Sequence, residues 1–275
     1  MPADPATQLA RFLDKYARLT VLSGAGCSTA SGIPEYRDDN GQWKHARPMQ
    51  YTEFMGSEAA RRRYWARSYA GWRRVAEASP NAAHHALARL EGAGVVDTLV
   101  TQNVDNLHRR AGSRCIIDLH GVLDNVRCTA CGDIVSRAGL QKRLESLNPH
   151  ASTDAVSIGP DGDAQVPGGI DGFIVPDCEN CGGILKPDVV FFGESVPRER
   201  IELAYGSLRR ANALLVVGSS LMVFSGFRFV RQAHVDGQPI AIVNRGRTRA
   251  DEIATLRLNA DCGSLLADAA NRLAG

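Results

Sequence analysis

The sequence predicts an α/β fold in which a doubly wound parallel sheet carries a smaller second unit. Near-continuous apolar runs, which are typical of strands buried on both faces, occur at 19–23, 97–101, 116–119, 213–217 and 239–243. Stretches of helical character occur at 80–91, 198–211, 225–232 and 265–270. Because strand and helix signals alternate along the chain, we expect parallel strands with helices on both faces.

Length, composition and charge restrict the class of protein. The chain has 275 residues and a formal net charge of +2, which suits one large domain with a satellite. This balance gives no general electrostatic basis for nucleic acid or an anionic membrane as the main partner. No apolar run approaches the ~20 residues of a membrane helix, and the first residues lack the basic and apolar regions of a secretory signal. We therefore expect a cytoplasmic protein.

Two regions interrupt the alternation of strands and helices. Residues 48–79 combine an arginine run with tyrosines and tryptophans and show no strand signal, which predicts a helical insertion. Residues 126–186 hold two Cys-x-x-Cys pairs around the segment 148–169, which is rich in Pro, Gly and Asp. This segment either reaches the cleft between the two units or is a disordered excursion.

A glycine-rich turn follows the first predicted strand directly. Gly24-Ala25-Gly26 leads into a helix start, where backbone N–H groups and the positive helix end can hold a pyrophosphate. A plain tight turn is the other interpretation. The third glycine of a dehydrogenase motif would fall at Thr29, and no acidic residue ends a second strand about 20 residues later, so an ordinary hydride-transfer enzyme is disfavoured.

Polar groups also follow the other predicted strands. They are Gln102-Asn103-Val104-Asp105, Gly218-Ser219-Ser220 and Asn244-Arg245-Gly246. Ligands of open parallel sheets bind outside the carboxyl ends of the strands, so these loops together predict a large polar ligand. His120 follows the run 116–119 and is a candidate general base, since an unperturbed pKa near ~6.5 leaves imidazole largely neutral in the cytoplasm. A capping or packing histidine is the alternative.

The four paired cysteines predict a metal site. Cys128, Cys131, Cys178 and Cys181 supply enough thiolates to close a tetrahedral zinc site, and with all four positions taken by sulfur the zinc is expected to be structural. A redox dithiol is the alternative. Cys27, Cys115 and Cys262 are expected to pack or to line the ligand site.

The segment 186–194 follows the cysteine region. It is apolar and extended in character, so it either pairs its backbone with an incoming peptide or forms a plain strand.

Taken together, several blocks resemble the sirtuin family and occur in family order from about residue 14 to 265. They are Gly24-Ala25-Gly26-x-Ser28-x-x-Ser31-Gly32-Ile33-Pro34-x-x-Arg37, Thr101-Gln102-Asn103-Val104-Asp105-x-Leu107-His108, Leu119-His120-Gly121, the cysteine pairs, Lys186-Pro187-Asp188 and Gly218-Ser219-Ser220-Leu221. Three further blocks resemble the class II branch, which includes a mitochondrial sirtuin of animals and bacterial relatives. These are Tyr64-Trp65-Ala66-Arg67, Pro160-Asp161-Gly162-Asp163 and Asn244-x-Gly246-x-Thr248-Arg249-x-Asp251.

The resemblance implies an NAD-dependent protein lysine deacylase that consumes NAD as a co-substrate. It implies a Rossmann-like NAD-binding domain at 1–47, 82–125 and 187–275. The small domain would combine a helical module at 48–81 with a zinc-binding module at 126–186. The substrates would be acyl-lysine proteins or peptides. No nucleic acid or membrane partner is expected.

The resemblance also assigns roles to single residues. Gly24, Ala25, Gly26, Ser28 and Arg37 would hold the phosphates, Gln102, Asn103 and Asp105 the nicotinamide ribose and carboxamide, and Gly218, Ser219, Asn244 and Cys262 the adenosine end. Pro34, Tyr36, Ser220, Arg245 and Gly246 belong to the same NAD-binding blocks. Val190, Phe191, Phe192, Gly193 and Val223 would enclose the substrate peptide as a middle strand.

The implied chemistry depends on His120 and Asn103 as catalytic residues. Nicotinamide leaves as a neutral group from a cationic ring, and the acyl-lysine carbonyl oxygen captures the ribose centre if it is held close. His120 then deprotonates a ribose hydroxyl, which attacks the imidate carbon, and loss of the amine yields O-acyl-ADP-ribose.

Two features point to the acyl group. The usual Asp-Phe before the motif arginine is Glu35-Tyr36, so a tyrosine would shield the reacting ribose carbon. Tyr64 and Arg67, spaced i, i+3, are expected to face the acyl channel and bind a carboxylate, which predicts a preference for acidic, branched acyl-lysines over acetyl-lysine. A solvated basic face around residues 61–63 is the alternative.

Two other functions stay open at this point. Protein mono-ADP-ribosylation would use the same ribosyl centre with another acceptor. A non-catalytic sensor of NAD or ADP-ribose would bind without releasing nicotinamide.

Overall fold

The computed structural model of the chain describes residues 3–44, 48–152, 157–165, 170 and 172–274. The strands are β1 (Leu19–Ser23), β2 (Val96–Thr101), β3 (Ile116–Asp118), β4 (Gly121–Cys128), β5 (Ile134–Ser136), β6 (Ser157–Ile158), β7 (Ala164–Gln165), β8 (Leu185–Val189), β9 (Ala213–Val217), β10 (Ile240–Val243) and β11 (Leu256–Leu258). The helices are α1 (Pro5–Lys15), α2 (Tyr51–Gly56), α3 (Glu58–Glu77), α4 (Ala82–Gly92), α5 (Leu107–Arg110), α6 (Arg137–Leu147), α7 (Arg198–Arg210), α8 (Phe224–Val235) and α9 (Cys262–Ala274).

The main sheet has six strands in the order β11-β10-β9-β1-β2-β3, and every pairing in it is parallel. Its centre is β1, where Leu19 lies beside Ala213 of β9 and Val96 of β2. The apolar runs predicted as strands all lie in this sheet. The edge strand β11 was not predicted, because it has three residues with Arg257 in the middle and so shows no apolar run.

Helices cover both faces of this sheet. Leu13 of α1, Leu87 of α4 and Leu266 of α9 are fully buried in the core on one face. Leu208 of α7 and Val230 of α8 are buried on the other. The predicted doubly wound α/β fold is confirmed.

The smaller unit joins α2 and α3 to an antiparallel sheet of order β5-β4-β8. Its own core centres on Trp65, which is 0% exposed and whose Nε1–H donates to the Leu185 carbonyl at 3.2 Å. The helix α3 begins where the Ser57 hydroxyl accepts a bond from the Ala60 N–H. The helical insertion is therefore present as predicted, while the domain boundaries stay a prediction.

Within the described part of the chain, every helix is too short or too polar to span a bilayer.

Candidate active site

The loops at the carboxyl end of the main sheet surround one cavity of about 560 Å³. The strands β1, β2, β9 and β10 end next to one another, so the polar segments that follow them meet at this edge. Residues from each of these segments line the cavity. The convergence expected from the sequence is present.

The glycine turn after β1 packs tightly against the turn after β9. The Gly26 N–H donates to the Gly218 carbonyl at 2.8 Å. A Cβ at Gly24 would lie 2.8 Å from the Ser219 Cβ, and one at Gly218, where φ is +59°, would lie 2.4 Å from the Cys27 nitrogen. Glycine at these positions lets the two loops approach closely enough to form a common wall of backbone groups.

Two amide side chains connect these loops to β2. Gln102 Nε2 donates to the Ser23 carbonyl at 3.1 Å and to Ser219 Oγ at 3.0 Å. Asn103 Nδ2 donates to the Gly24 carbonyl and to Ser28 Oγ, both at 3.1 Å. Both amides also line the cavity, so they are held in place before any ligand binds.

A buried hydrogen-bond chain runs behind Asn103. The Asn81 N–H donates to His84 Nδ1 at 3.2 Å, so the neutral ring carries its proton on Nε2 and donates it to Ser28 Oγ at 3.5 Å. Ser28 in turn donates to Asp105 Oδ2 at 2.6 Å. Burial lowers the pKa of His84 to about 4 and raises that of Asp105. The sequence did not single out His84, because its position in this hydrogen-bond chain depends on the N-terminal cap of α4 at Asn81.

His120 has the tautomer of a general base. A carbonyl only accepts hydrogen bonds, so Nδ1 donates to the Gln102 carbonyl at 3.0 Å and Nε2 is left as an acceptor. The Ser225 hydroxyl donates to Nε2 at 2.8 Å. Burial lowers the pKa of His120 to about 4, which keeps the ring neutral near pH 7. Ser225 lines the cavity and was not singled out from the sequence.

Aromatic rings form another wall. Tyr36 lies 6.2 Å from Trp43 and 5.8 Å from Phe192 between ring centroids. The Arg37 guanidinium lies 4.1 Å from the Trp43 ring centre and donates to the Gly41 carbonyl at 2.7 Å. Stacking on Trp43 places a cation at the cavity wall. No sequence signal pointed to Trp43.

Most of the residues predicted from the sequence line this cavity. They are Gly24, Ala25, Gly26, Ser28, Tyr36, Arg37, Gln102, Asn103, Asp105, His120, Val190, Phe191, Phe192, Gly193, Gly218, Ser219, Ser220, Val223, Asn244 and Arg245. Pro34, Gly246, Cys262, Tyr64 and Arg67 are not among the lining residues. Cys262 lies just beneath the wall, where its thiol donates to the Gly26 carbonyl at 3.3 Å.

The segment expected to pair with the substrate peptide is only partly a strand. The strand β8 ends at Val189, and the segment 190–193 continues along the cavity. The Val190 N–H donates to the His120 carbonyl at 2.8 Å, and the Tyr51 N–H donates to the Phe192 carbonyl at 2.8 Å. This segment therefore joins His120 to the helical insertion.

Tyr64 and Arg67 differ from the picture drawn from the sequence. Tyr64 is 2% exposed and packs edge-on against Phe54 and Trp65, because a large ring gains most from burial. The Arg67 Nε lies 2.7 Å from Asp163 Oδ1 and donates to the Ala164 carbonyl at 3.0 Å. The i, i+3 spacing does place them one turn apart, but neither reaches the cavity wall.

Part of the segment 148–169 does enter the cleft. The strands β6 and β7 form a hairpin, and Pro160 and Asp161 of its turn line the cavity. Residues 153–156 and 166–169 lie outside the described residues.

The paired cysteines form a cluster away from this cavity. The sulfur atoms of Cys128, Cys131, Cys178 and Cys181 all lie within 4.8 Å of one another. A tetrahedral zinc with Zn–S bonds of about 2.3 Å places its sulfurs at such spacings. Each pair closes a tight turn, with Gly132 at φ +78° and Gly182 at φ +72° directly after its second cysteine. The four cysteines are positioned to bind a zinc ion, and four sulfur ligands close the site to water.

The sequence matches known proteins over nearly its full length. A model of the Sir2 family matches residues 24–225. A Bordetella bronchiseptica NAD-dependent protein deacetylase is 56% identical over 258 residues, covering 94% of each chain. A Xanthomonas campestris pv. campestris protein of the same description is 54% identical, covering 96% of this chain and 89% of its own.

Solved structures agree with this match. A chain from a study of the mechanism and regulation of Sir2 enzymes superposes with a TM-score of 0.78 at 29% identity, covering 98% of both chains. A Sir2 chain described with a p53 peptide and NAD gives a TM-score of 0.75 at 31% identity, covering 97% of this chain and 95% of its own. This chain belongs to the Sir2 family.

Proposed function

We propose that the protein is an NAD-dependent protein lysine deacylase that transfers the acyl group of a lysine to ADP-ribose and releases nicotinamide. The observation that carries this proposal is the meeting of four features in one cavity. They are the glycine wall, the paired amides of Gln102 and Asn103, the Arg37 cation and an imidazole with an unprotonated acceptor nitrogen. The match to relatives described as NAD-dependent protein deacetylases supports it.

NAD suits this cavity because donors and one cation lie where a dinucleotide has phosphates and hydroxyls. The backbone of the turn 24–28 and Arg37 would bind the phosphates. Asn103 and the Ser28–Asp105 pair would bind the nicotinamide riboside. Gly218, Ser219 and Asn244 would line the adenosine end.

His120 serves as the general base. Once the acyl carbonyl oxygen has displaced nicotinamide from the ribose, Nε2 accepts the proton of a ribose hydroxyl, whose oxygen attacks the former carbonyl carbon. That proton passes to the lysine amine as it leaves, and water adds to the remaining cation to give O-acyl-ADP-ribose. The Ser225 hydroxyl would give up its bond to Nε2 when that ribose hydroxyl arrives. The Gln102 carbonyl holds the ring in this tautomer throughout.

The peptide would lie against the segment 190–193 and Val223, which line the same cavity. The relative structure described with a p53 peptide and NAD supports a protein or peptide substrate. We propose the cytoplasm as the compartment, because four free thiolates need reducing conditions to hold zinc. The preference for acidic or branched acyl groups that Tyr64 and Arg67 predict stays a prediction.

The decisive experiment incubates the protein with NAD and a panel of acyl-lysine peptides and measures nicotinamide and O-acyl-ADP-ribose together. We expect both products in equal amounts from wild type. His120→Tyr is expected to abolish deacylation while NAD affinity, measured by calorimetry, is largely kept.

Other outcomes separate the remaining functions. ADP-ribose found by mass spectrometry on a protein side chain, with the acyl-lysine intact, would indicate a mono-ADP-ribosyltransferase. NAD binding without nicotinamide release from any peptide would indicate a sensor.

A further inference from the structure

The hairpin of β6 and β7 is seated on α3 by a close backbone approach. A Cβ on Gly71 of α3 would lie 2.1 Å from the carbonyl oxygen of Gly162, which has φ +72° in the hairpin turn. Ala164 is 0% exposed, and its carbonyl accepts the bond from Arg67 Nε. Contacts at Gly162 and at Ala164 hold the hairpin in one position on the helix.

This position brings the carboxyl group of Asp161 to the cavity wall and that of Asp163 to Arg67, which is not among the lining residues. Asp161 lines the cavity, as does Phe191, which packs on Tyr64 with ring centroids 5.2 Å apart. Asp163 Oδ1 lies 2.7 Å from Arg67 Nε, and the Asp163 side chain is 12% exposed. The sequence predicts that the Arg67 guanidinium binds a substrate carboxylate, but in the structure it is already paired with the carboxylate of Asp163.

The charges around the Arg67–Asp163 pair disfavour the binding of another anion nearby. Burial and then the neighbouring Asp161 raise the pKa of Asp163 to about 7, although Arg67 and Arg63 both lower it. The single N–H on Arg67 Nε points to the Ala164 carbonyl, and Asp163 Oδ1 accepts no hydrogen bond among the described residues. A further carboxylate nearby would add its repulsion to that between Asp161 and Asp163.

We propose that Asp163 neutralises the charge of Arg67 and that the hairpin, with Asp161 at the cavity wall, thereby makes the enzyme select neutral acyl-lysines over acidic ones. This inference rests on the proposed deacylase function and opposes the acyl preference that the sequence predicts. Asp163 is a specificity residue here, since it acts through the charge of Arg67.

The test compares two peptides that differ only at the acyl terminus: glutaryl-lysine and its terminal amide. Wild type is expected to favour the amide in kcat/KM, and Asp163→Asn to shift the ratio towards glutaryl by about ten-fold or more, because it leaves the positive charge of Arg67 without a compensating anion. The double variant Asp163→Asn with Arg67→Ala is expected to lose that shift. Asp14→Asn, on the exposed side of α1, removes the same charge elsewhere and should leave the ratio unchanged.

A second measurement needs no variant. With a pKa raised to about 7, Asp163 is more fully ionised at pH 8 than at pH 6, while a glutaryl carboxyl stays ionised at both. The wild-type ratio of glutaryl to amide turnover should therefore rise as the pH falls, with Asp161, Arg63 and Arg67 as the other charged groups around Asp163.

Three results would overturn the inference: a wild-type preference for glutaryl, an unchanged ratio in Asp163→Asn, or a ratio that does not respond to pH. Dissociation constants of the two peptides give the same comparison without chemistry. If no peptide yields nicotinamide, the deacylase proposal fails, and the ratio of these constants still decides the role of Asp163.

Discussion

At the residue scale, the imidazole of His120 shows how a surrounding fold makes a base. A free histidine titrates near ~6.5, but burial lowers the pKa of His120 and so favours its neutral form, and the Gln102 carbonyl selects the tautomer with an unprotonated Nε2. The position at a strand end was visible in the sequence. The tautomer was not, because its hydrogen-bond partner lies 18 residues earlier in the chain.

This arrangement predicts an unusual pH profile. His120 is inactive as a base when protonated, so activity should be lost as the pH falls through about 4, not through the ordinary value. We expect kcat/KM for deacetylation of an acetyl-lysine peptide to show no histidine limb between about pH 5 and pH 7. A limb centred near pH 6.5 in the wild-type profile, absent from the residual rates of His120→Tyr, would contradict this prediction.

Tyr64 and Arg67 show the limit of local spacing. An i, i+3 pair predicts a shared face of a helix, and the two residues do share one. Which partners cover that face depends on residues far away in sequence, namely Phe191 for the ring and Asp163 for the guanidinium. Neither partner can be inferred from helix periodicity.

At the element scale, the hairpin of β6 and β7 depends on one glycine of α3. Gly71→Ala adds a Cβ that would lie 2.1 Å from the Gly162 carbonyl oxygen, so backbone must move. We expect a loss of about 1–3 kcal/mol in the free energy of unfolding, measured with urea, despite the better helix propensity of alanine.

Gly206→Ala in α7 is the matched control. The atoms nearest to its added Cβ are the ends of arginine side chains, at 3.5 Å and beyond. It should stabilise the protein by up to about 1 kcal/mol. Equal stability changes in the two variants would mean that the hairpin is not seated as described.

At the scale of the whole molecule, the cysteine cluster supports the cavity from a distance. It joins the ends of β4 and β8 at Cys128 and Leu185, and these strands pair antiparallel. At their other ends β4 begins directly after His120 and β8 ends directly before Val190, whose N–H donates to the His120 carbonyl. The metal site therefore braces the base and the peptide-binding segment together.

Removal of zinc should lower activity strongly, although none of the four clustered cysteines lines the cavity. Structural zinc sites contribute about 10–16 kcal/mol to folding, so chelation or Cys131→Ser should release the metal, loosen the small sheet and lower turnover at least about ten-fold. Cys115→Ser, at an exposed thiol outside the cluster, is the control and should keep both zinc and activity. Full activity after measured loss of one zinc per chain would disprove the bracing role.

The sequence by itself determined the sheet, the glycine turn, the cysteine pairs and most of the cavity wall. These features depend on local signals: apolar runs, glycines that allow close approach, and residue types placed just after a strand. Only the tertiary structure decided the tautomer of His120, the burial of Tyr64 and the pairing of Arg67 with Asp163. Each of these depends on groups that the sheet and hairpin bring together from distant parts of the chain, and hydrogen bonds and ion pairs of that kind leave no periodic pattern.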